Sequence, residues 1–201
     1  MTKPVDFQKF RILIDEAITY DNLPQARQLA QEALEAASRT EHLAQRMYFT
    51  AQLLIIEEDF TQALKFLDLA IQYNPNDGAA YNDRALCMVE MGRLDEALDY
   101  FDRGIAVEKD FATIHHNKGW LLNQLGQHSQ ALDCFHRALA LEPNRAVTYE
   151  NIADCLFKSG RIDDAIEAYQ KAVSLLTERS ADIKKEIEKL IKILQALQSK
   201  K

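Results

Sequence analysis

Long hydrophobic runs, paired cysteines and an excess of positive charge are all missing from this sequence of 201 residues. A membrane-spanning helix needs roughly 20 consecutive apolar residues, and no stretch approaches that length. The N-terminal segment carries Asp6, Lys9, Arg11 and Asp15, where a signal peptide would need an unbroken apolar run. Nothing in the sequence therefore indicates membrane insertion or export, and we expect a cytoplasmic protein.

The few cysteines and histidines do not form a reactive pattern. Cys87, Cys134 and Cys155 include no CxxC motif. Each has an apolar or small residue 34 positions away in the sequence, an interval at which other residues also recur. We interpret them as buried, reduced thiols. His115 and His116 are adjacent, so on a helix they point about 100° apart and do not share a metal easily. HExxH motifs, glycine-rich phosphate loops and nucleophile–base patterns are also missing, so no enzyme activity, metal or cofactor is expected.

Positive charge is scarce. The chain has 24 Lys and Arg against 31 Asp and Glu, which gives a formal net charge of −7. Nonspecific binding to nucleic acid depends on Lys and Arg that neutralise phosphates, and anionic membrane surfaces attract basic segments. The charge therefore disfavours nucleic acid and membrane surfaces as partners and leaves proteins or peptides.

What the sequence does contain is a set of residues that recur every 34 positions. The rows are Gly92, Gly126 and Gly160; Ala63, Ala97, Ala131 and Ala165; and Leu67, Phe101, Phe135 and Tyr169. Apolar residues at helical spacing that end at a glycine predict a helix and a tight turn, and a second such stretch follows each glycine. A fixed period of this length is typical of stacked helical hairpins.

This pattern resembles the tetratricopeptide repeat family. In segment 112–145 the matching residues are Gly119, Leu122, Gly126, Ala131, Phe135, Ala138 and Pro143. Four units fit at 44–77, 78–111, 112–145 and 146–179, although Glu58 replaces the turn glycine in the first of them. The resemblance implies an all-α, right-handed solenoid of antiparallel helix pairs that forms one continuous domain.

Two further segments extend the predicted solenoid. Segment 7–40 looks like a degenerate leading unit, with Pro24 suited to a helix start. The interval from Ala26 to Ala63 is 37, three longer than the period, so we expect three extra residues near 41–43. Segment 180–199 predicts an amphipathic helix that covers the last apolar face.

The resemblance also implies a function and a site. In this family the first helix of each pair lines a concave groove, so we expect a non-catalytic adaptor or scaffold that binds a peptide or helix there. By register, the predicted groove residues are Tyr48, Phe49, Gln52, Asn82, Asp83, Leu86, Glu90, His116, Asn117, Trp120, Gln124, Glu150, Asn151, Asp154 and Phe157.

The roles of single groove residues stay open at this point. Asn117 and Asn151 either grip a peptide backbone or brace neighbouring helices, because an amide both donates and accepts hydrogen bonds. Trp120 is either a binding anchor or a packing residue. The lining carries several carboxylates, so a neutral or basic partner is expected. It lacks the cations with which some family members hold acidic peptide tails.

Two alternatives to a plain adaptor are kept. One is a secretion-type chaperone for a client segment, because short proteins of this family also serve in that role. The other is a self-assembling scaffold, in which the end helix or N-terminal segment fills the groove of the next molecule. The terminal helix would in either case be a plain cap or a contact for homo-oligomers, since amphipathicity alone does not separate the two.

Overall fold

The computed structural model of the chain describes residues 5–19, 22–177 and 180–198, and the regular secondary structure in these ranges is helical. The first helices of successive pairs are α1 Phe7–Thr19, α3 Leu43–Ile56, α5 Gly78–Glu90, α7 Ala112–Gln124 and α9 Ala146–Lys158. The second helices are α2 Leu23–Arg39, α4 Phe60–Tyr73, α6 Leu94–Val107, α8 His128–Leu141 and α10 Ile162–Leu175, and α11 Ala181–Gln198 follows. This confirms the predicted all-α fold of packed helix pairs.

The helices group into two compact units. Unit 1, Met1–Lys109, contains α1 to α6, and unit 2, Asp110–Lys201, contains α7 to α11. Within each unit every first helix packs on its own second helix, and the second helix packs on the next first helix. No helix in the described ranges is long and apolar enough to span a bilayer.

Each turn between the two helices of the last four pairs contains one residue in the left-handed backbone conformation. Gly92, Gly126 and Gly160 have φ angles of +74°, +77° and +77°. After Gly92, the backbone N–H of Arg93 donates to the carbonyl oxygen of Met88 at 2.8 Å, which closes the helix end. Glu58 takes the same conformation with φ of 59°, although it has a side chain that disfavours it. The turn geometry is therefore kept where the glycine is lost.

Small residues let the paired helices approach closely. A Cβ atom added to Gly119 would lie 2.9 Å from the ring of Phe135 and 3.1 Å from the carbonyl oxygen of Ala131. Ala131 and Phe135 are fully buried, as is Phe101 in the equivalent position of unit 1. The predicted small and large rows thus meet at the helix crossing.

The leading pair holds its extra residues inside a helix. Helix α2 has 17 residues, whereas α4, α6, α8 and α10 have 14 each. Asn22 caps α2 by accepting from the backbone N–H of Gln25, and Pro24 lies in the first turn. The three additional residues therefore lengthen α2 rather than the connection near 41–43, since its alanine-rich sequence favours helix.

Helix α11 packs on unit 2 through three of its seven Ile and Leu residues. Ile187, Ile191 and Leu194 are buried in a cluster with Ile166 and Tyr169 of α10. Other apolar side chains of α11 stay exposed, among them Leu190. The helix covers unit 2 as predicted, but its apolar face is wider than the surface that it covers.

The thiols are free in this structure. Cys87 and Cys155 are buried, which confirms that part of the prediction, whereas Cys134 is half-buried. Burial raises the pKa of Cys87 to about 12, so its sulfur stays a protonated thiol at neutral pH.

Candidate functional site

The predicted groove residues lie on the first helices of both units, and each unit presents its own set. In unit 1, Tyr48, Phe49 and Gln52 are on α3, and the others lie on α5. In unit 2, α7 and α9 carry the remaining eight. The two sets differ in how many of their side chains already make hydrogen bonds or packing contacts within the protein.

In unit 1 a buried ion pair connects three successive first helices. Both Nη atoms of Arg11 on α1 donate to Asp77, at 2.8 and 2.6 Å, and Asp77 is the N-cap residue of α5. Arg11 Nη2 also donates to Gln45 on α3 at 3.2 Å. The guanidinium lies 4.0 Å from the ring centroid of Tyr48, in cation–π geometry. One side chain therefore joins α1, α3 and α5.

A second part of this arrangement surrounds Asp83 on α5. Its Oδ2 accepts from the hydroxyl of Tyr48 and from Nε2 of Gln52, both at 2.6 Å, and its Oδ1 accepts from Asn82 at 2.9 Å. Burial raises the pKa of Asp83, and the hydrogen bonds from Tyr48 and Asn82 partly oppose that shift. Burial and the nearby Asp83 raise the pKa of Tyr48, so its hydroxyl remains a donor.

These contacts define one set of residues, which we call the Arg11–Asp83 network. Its members are Arg11, Gln45, Tyr48, Gln52, Asp77, Asn82 and Asp83. Tyr48, Gln52 and Asn82 are buried, and Phe49 is fully buried against Phe7 and Phe10 of α1. Leu86 and Asp83 are half-buried, and Glu90 is exposed. In unit 1 most of the predicted residues therefore support the packing of neighbouring helices.

Sequence reasoning missed Arg11, Gln45 and Asp77. Arg11 lies in the leading pair, whose spacing departs from the period, so register did not place it opposite Asp77, 66 residues later. The available signal was the pair of offsets, 35 and 31 residues, that join Asp83 to Tyr48 and Gln52. Offsets close to the repeat period are those at which one first helix contacts the next.

In unit 2 a buried histidine braces the same kind of contact. His116 Nδ1 lies 2.9 Å from the hydroxyl of Thr148, and Asn151 Nδ2 lies 3.4 Å from His116 Nε2. Burial and the charge of Arg145 lower the pKa of His116 to about 3, so the ring is neutral. Because the Asn151 amide donates to Nε2, Nδ1 carries the proton and donates to Thr148. Asn151 thus acts as a brace between α7 and α9.

Five of the other predicted residues on α7 and α9 define what we call the unit 2 face: Trp120, Gln124, Glu150, Asp154 and Phe157. Trp120, Glu150 and Asp154 are half-buried, whereas Gln124 and Phe157 are exposed. Along α9 the three residues are four and three positions apart, so they share one side of the helix. Asn117 on α7 is half-buried and interacts with other parts of the chain.

The unit 2 face carries two carboxylates, those of Glu150 and Asp154. Burial, together with the charges of Asp154 and Glu186, raises the pKa of Glu150. The hydroxyl of Tyr169 on α10 donates a hydrogen bond to Asp154, which orients that carboxylate. Burial and this hydrogen bond raise the pKa of Tyr169, so its hydroxyl stays protonated. A cationic group near Glu150 would relieve the repulsion among these carboxylates.

The face combines the aromatic side chains of Trp120 and Phe157 with the carboxylates of Glu150 and Asp154. In the described part of the chain no group of three or more His, Cys, Asp or Glu side chains is placed to hold a metal ion. The arrangement suits apolar anchoring by Trp120 and Phe157, with carboxylates beside them that attract cations.

Comparison with known protein families agrees with the helix-pair fold. Two family models, both described as tetratricopeptide repeat, match residues 54–118 and 110–178. No curated protein matches the chain by sequence.

Solved structures share the fold at low sequence identity. TTC0263, a thermophilic TPR protein in Thermus thermophilus, is 18% identical with a TM-score of 0.72, over 95% of this chain and 100% of that one. MamA 41-end from Desulfovibrio magneticus RS-1 is 19% identical with a TM-score of 0.61, over 79% and 96% of the two chains. YrrB, titled a TPR protein with an unusual peptide-binding site, is 18% identical with a TM-score of 0.58, over 86% and 88%.

Proposed function

Because this chain belongs to the tetratricopeptide repeat family, which typically serves non-catalytic protein interaction, we propose that it binds a peptide or helix of a partner protein on the unit 2 face. The observation that carries the proposal is the composition of that face. Trp120, the one tryptophan in the sequence, is half-buried on α7, and Phe157 is exposed on α9, the first helix of the next pair.

The contrast between the two units favours unit 2 as the binding site. In unit 1 the buried Tyr48, Gln52 and Asn82 are engaged in the Arg11–Asp83 network. A ligand there would have to replace hydrogen bonds that the protein already makes, which costs free energy for each buried group left unpaired. In unit 2, Trp120, Gln124 and Phe157 offer surface without that cost.

Charge defines the partner further. Burial is the main reason that the pKa of Glu150 is raised, and the negative charges of Asp154 and Glu186 raise it further. A partner with Lys or Arg beside an apolar anchor would gain from this potential, mainly in association rate and in selection against acidic competitors. We therefore propose a basic, amphipathic segment as the ligand, in agreement with the expected neutral or basic partner.

The test uses Trp120 as a built-in fluorescent reporter in the full chain. The probes are two synthetic amphipathic peptides of equal length and apolar content, one with lysines and one with glutamates on the polar side. We expect the lysine peptide to change Trp120 emission saturably and the glutamate peptide to leave it unchanged. Glu150→Gln should weaken binding of the lysine peptide by roughly fivefold, because one charge close to the contact is removed.

A matched control is Glu167→Gln, which removes one exposed carboxylate from α10 rather than from the unit 2 face. Calorimetry with Trp120→Ala and Phe157→Ala measures the apolar contribution, and each should weaken binding while the helical circular dichroism is kept. Equal affinity for the two peptides, or equal effects of Glu150→Gln and Glu167→Gln, would refute the proposed site.

A further inference from the structure

Helix α11 has a second apolar face that the described structure leaves uncovered. Ile183, Leu190, Ile193 and Leu197 are between 43% and 48% exposed. With Glu186 they are spaced by three and four residues in alternation, which is the pattern of a helix–helix seam. On the other face, Ile187, Ile191 and Leu194 are buried against α10. The exposed residues are therefore not the ones that attach α11 to unit 2.

Register explains why this face is apolar. Leu190 follows Leu156, Leu122 and Met88 at successive intervals of 34, and those three side chains are at most 6% exposed. In each earlier pair a second helix packs on the first. Helix α11 packs on α10 as a new first helix does, but within the described residues no second helix packs on it. Its free face is the surface on which that second helix would lie.

We propose that a second copy of this chain covers this face, so that two α11 helices pack antiparallel about a twofold axis. Each α11 then takes the place of the second helix for the other. A short turn makes the second helix of a pair antiparallel to the first. A twofold axis perpendicular to two packed helices imposes the same antiparallel direction. The α11 helix of the second copy can therefore lie where a second helix would pack, without any change in the fold of either copy.

Charge complementarity favours the antiparallel arrangement. When Ile183 lies opposite Ile193 of the second copy, Glu186 comes beside Leu190 and Lys189 of that copy. The carboxylate, which interrupts the apolar seam, then meets a cation. In a parallel pair the two Glu186 side chains would face each other, and like charges at this distance repel. The described part of α11 also mixes Lys with Asp and Glu, so self-association does not bring together surfaces of one sign.

The contact is small, which sets the expected strength. With Ile183 opposite Ile193, Leu197 lies beyond the first residue of the other α11, so Ile183, Leu190 and Ile193 of each copy form the contact. Three apolar side chains from each copy lie at the low end of the range of specific interfaces, so the dimer should be weak and dependent on concentration. The inference is argued from α11 alone and does not rest on the proposed peptide binding, although Glu186 lies in the seam and also contributes negative charge at Glu150. Trp120 and Phe157 take no part in it.

Sedimentation velocity on the full chain, from low micromolar to several hundred micromolar, tests the proposal. We expect a reversible monomer–dimer equilibrium. Leu190→Glu should weaken dimerisation roughly tenfold or more, because it puts a charge into the seam. Gln195→Glu adds the same charge to the exposed polar side of α11 and should change dimerisation little. Since Leu190 is already exposed within a single chain, thermal unfolding of the variant at low concentration should match the wild type.

A gain of affinity supplies the second arm. Glu186→Leu completes the apolar seam, and we expect it to tighten the dimer roughly tenfold. A wild-type chain that stays monomeric over the whole concentration range would overturn the proposal. So would equal effects of Leu190→Glu and Gln195→Glu, or a Glu186→Leu variant that dimerises no better than the wild type.

Discussion

The neutral state of His116 makes the stability of unit 2 depend on pH. In an unfolded chain a histidine has a pKa of about 6.5, whereas burial and Arg145 lower the pKa of His116 to about 3 in the folded protein. The folded state therefore binds fewer protons than the unfolded state between these two values. The stabilising contribution is complete above pH 6.5 and is lost as the pH falls toward 3.

The magnitude follows from proton linkage. Between pH 7 and pH 5 the unfolded histidine becomes protonated while the folded one stays neutral, so the free energy of unfolding should fall by about 2 kcal/mol. The loss in this interval is set by the unfolded pKa, because the folded pKa lies well below pH 5. His116→Gln keeps a polar side chain but does not titrate, so this part of the pH dependence should vanish.

Denaturant unfolding followed by Trp120 fluorescence suits the measurement, because Trp120 and His116 are both on α7. The quantity to compare is the change in unfolding free energy from pH 7 to pH 5 in wild type and His116→Gln. Comparing the two proteins removes the opposite contributions of Asp83 and Glu150, whose raised pKa values favour the folded state as pH falls. His136→Gln, at an exposed position of α8, is the matched control. The same loss in wild type and His116→Gln would show that the folded protein does not hold His116 neutral.

Two further predictions concern the turns and crossings. Gly119→Ala should destabilise unit 2 by about 1–3 kcal/mol in chemical denaturation, because the new Cβ overlaps the Phe135 ring. A Cβ at Gly126 would meet no neighbouring atom, so Gly126→Ala should lower the free energy of unfolding only by the strain of a positive φ, about 1–2 kcal/mol. Unchanged stability of both glycine variants would contradict the helix-pair geometry. Glu58→Gly should stabilise unit 1 by up to about 1 kcal/mol, as relief of its positive φ outweighs the extra entropy of glycine in the unfolded chain. A lower melting temperature for Glu58→Gly would refute this reasoning.

The fold could be predicted because its determinants are local and repeated. Gly92, Gly126 and Gly160 each report a left-handed turn, and the alanine rows report close helix crossings. The leading pair was harder to place, since its additional residues lengthen α2, and a helix extension and a longer connection leave the same spacing in the sequence. The structure decides between the two because α2 remains continuous to Arg39.

The site was less predictable because register gives the direction of a side chain but not its partner. Tyr48 and Gln52 lie on first helices as expected, yet their exposure depends on Asp83 in the next pair and on Arg11 in the irregular leading pair. Likewise, the sequence of α11 shows one broad apolar side. Only the packing against α10 separates the buried Ile187 from the exposed Leu190.

Arg11 also has a consequence for how unit 1 comes apart. A stack held only by adjacent pairs can lose its terminal pair first, because each interface breaks independently of the others. The guanidinium of Arg11 instead donates hydrogen bonds to Asp77 at the start of α5, beyond the intervening α3. Peeling α1 away therefore exposes the buried Asp77 carboxylate as well as apolar surface. Fraying from this end is coupled to the third helix pair, so the first three pairs should open as one cooperative block.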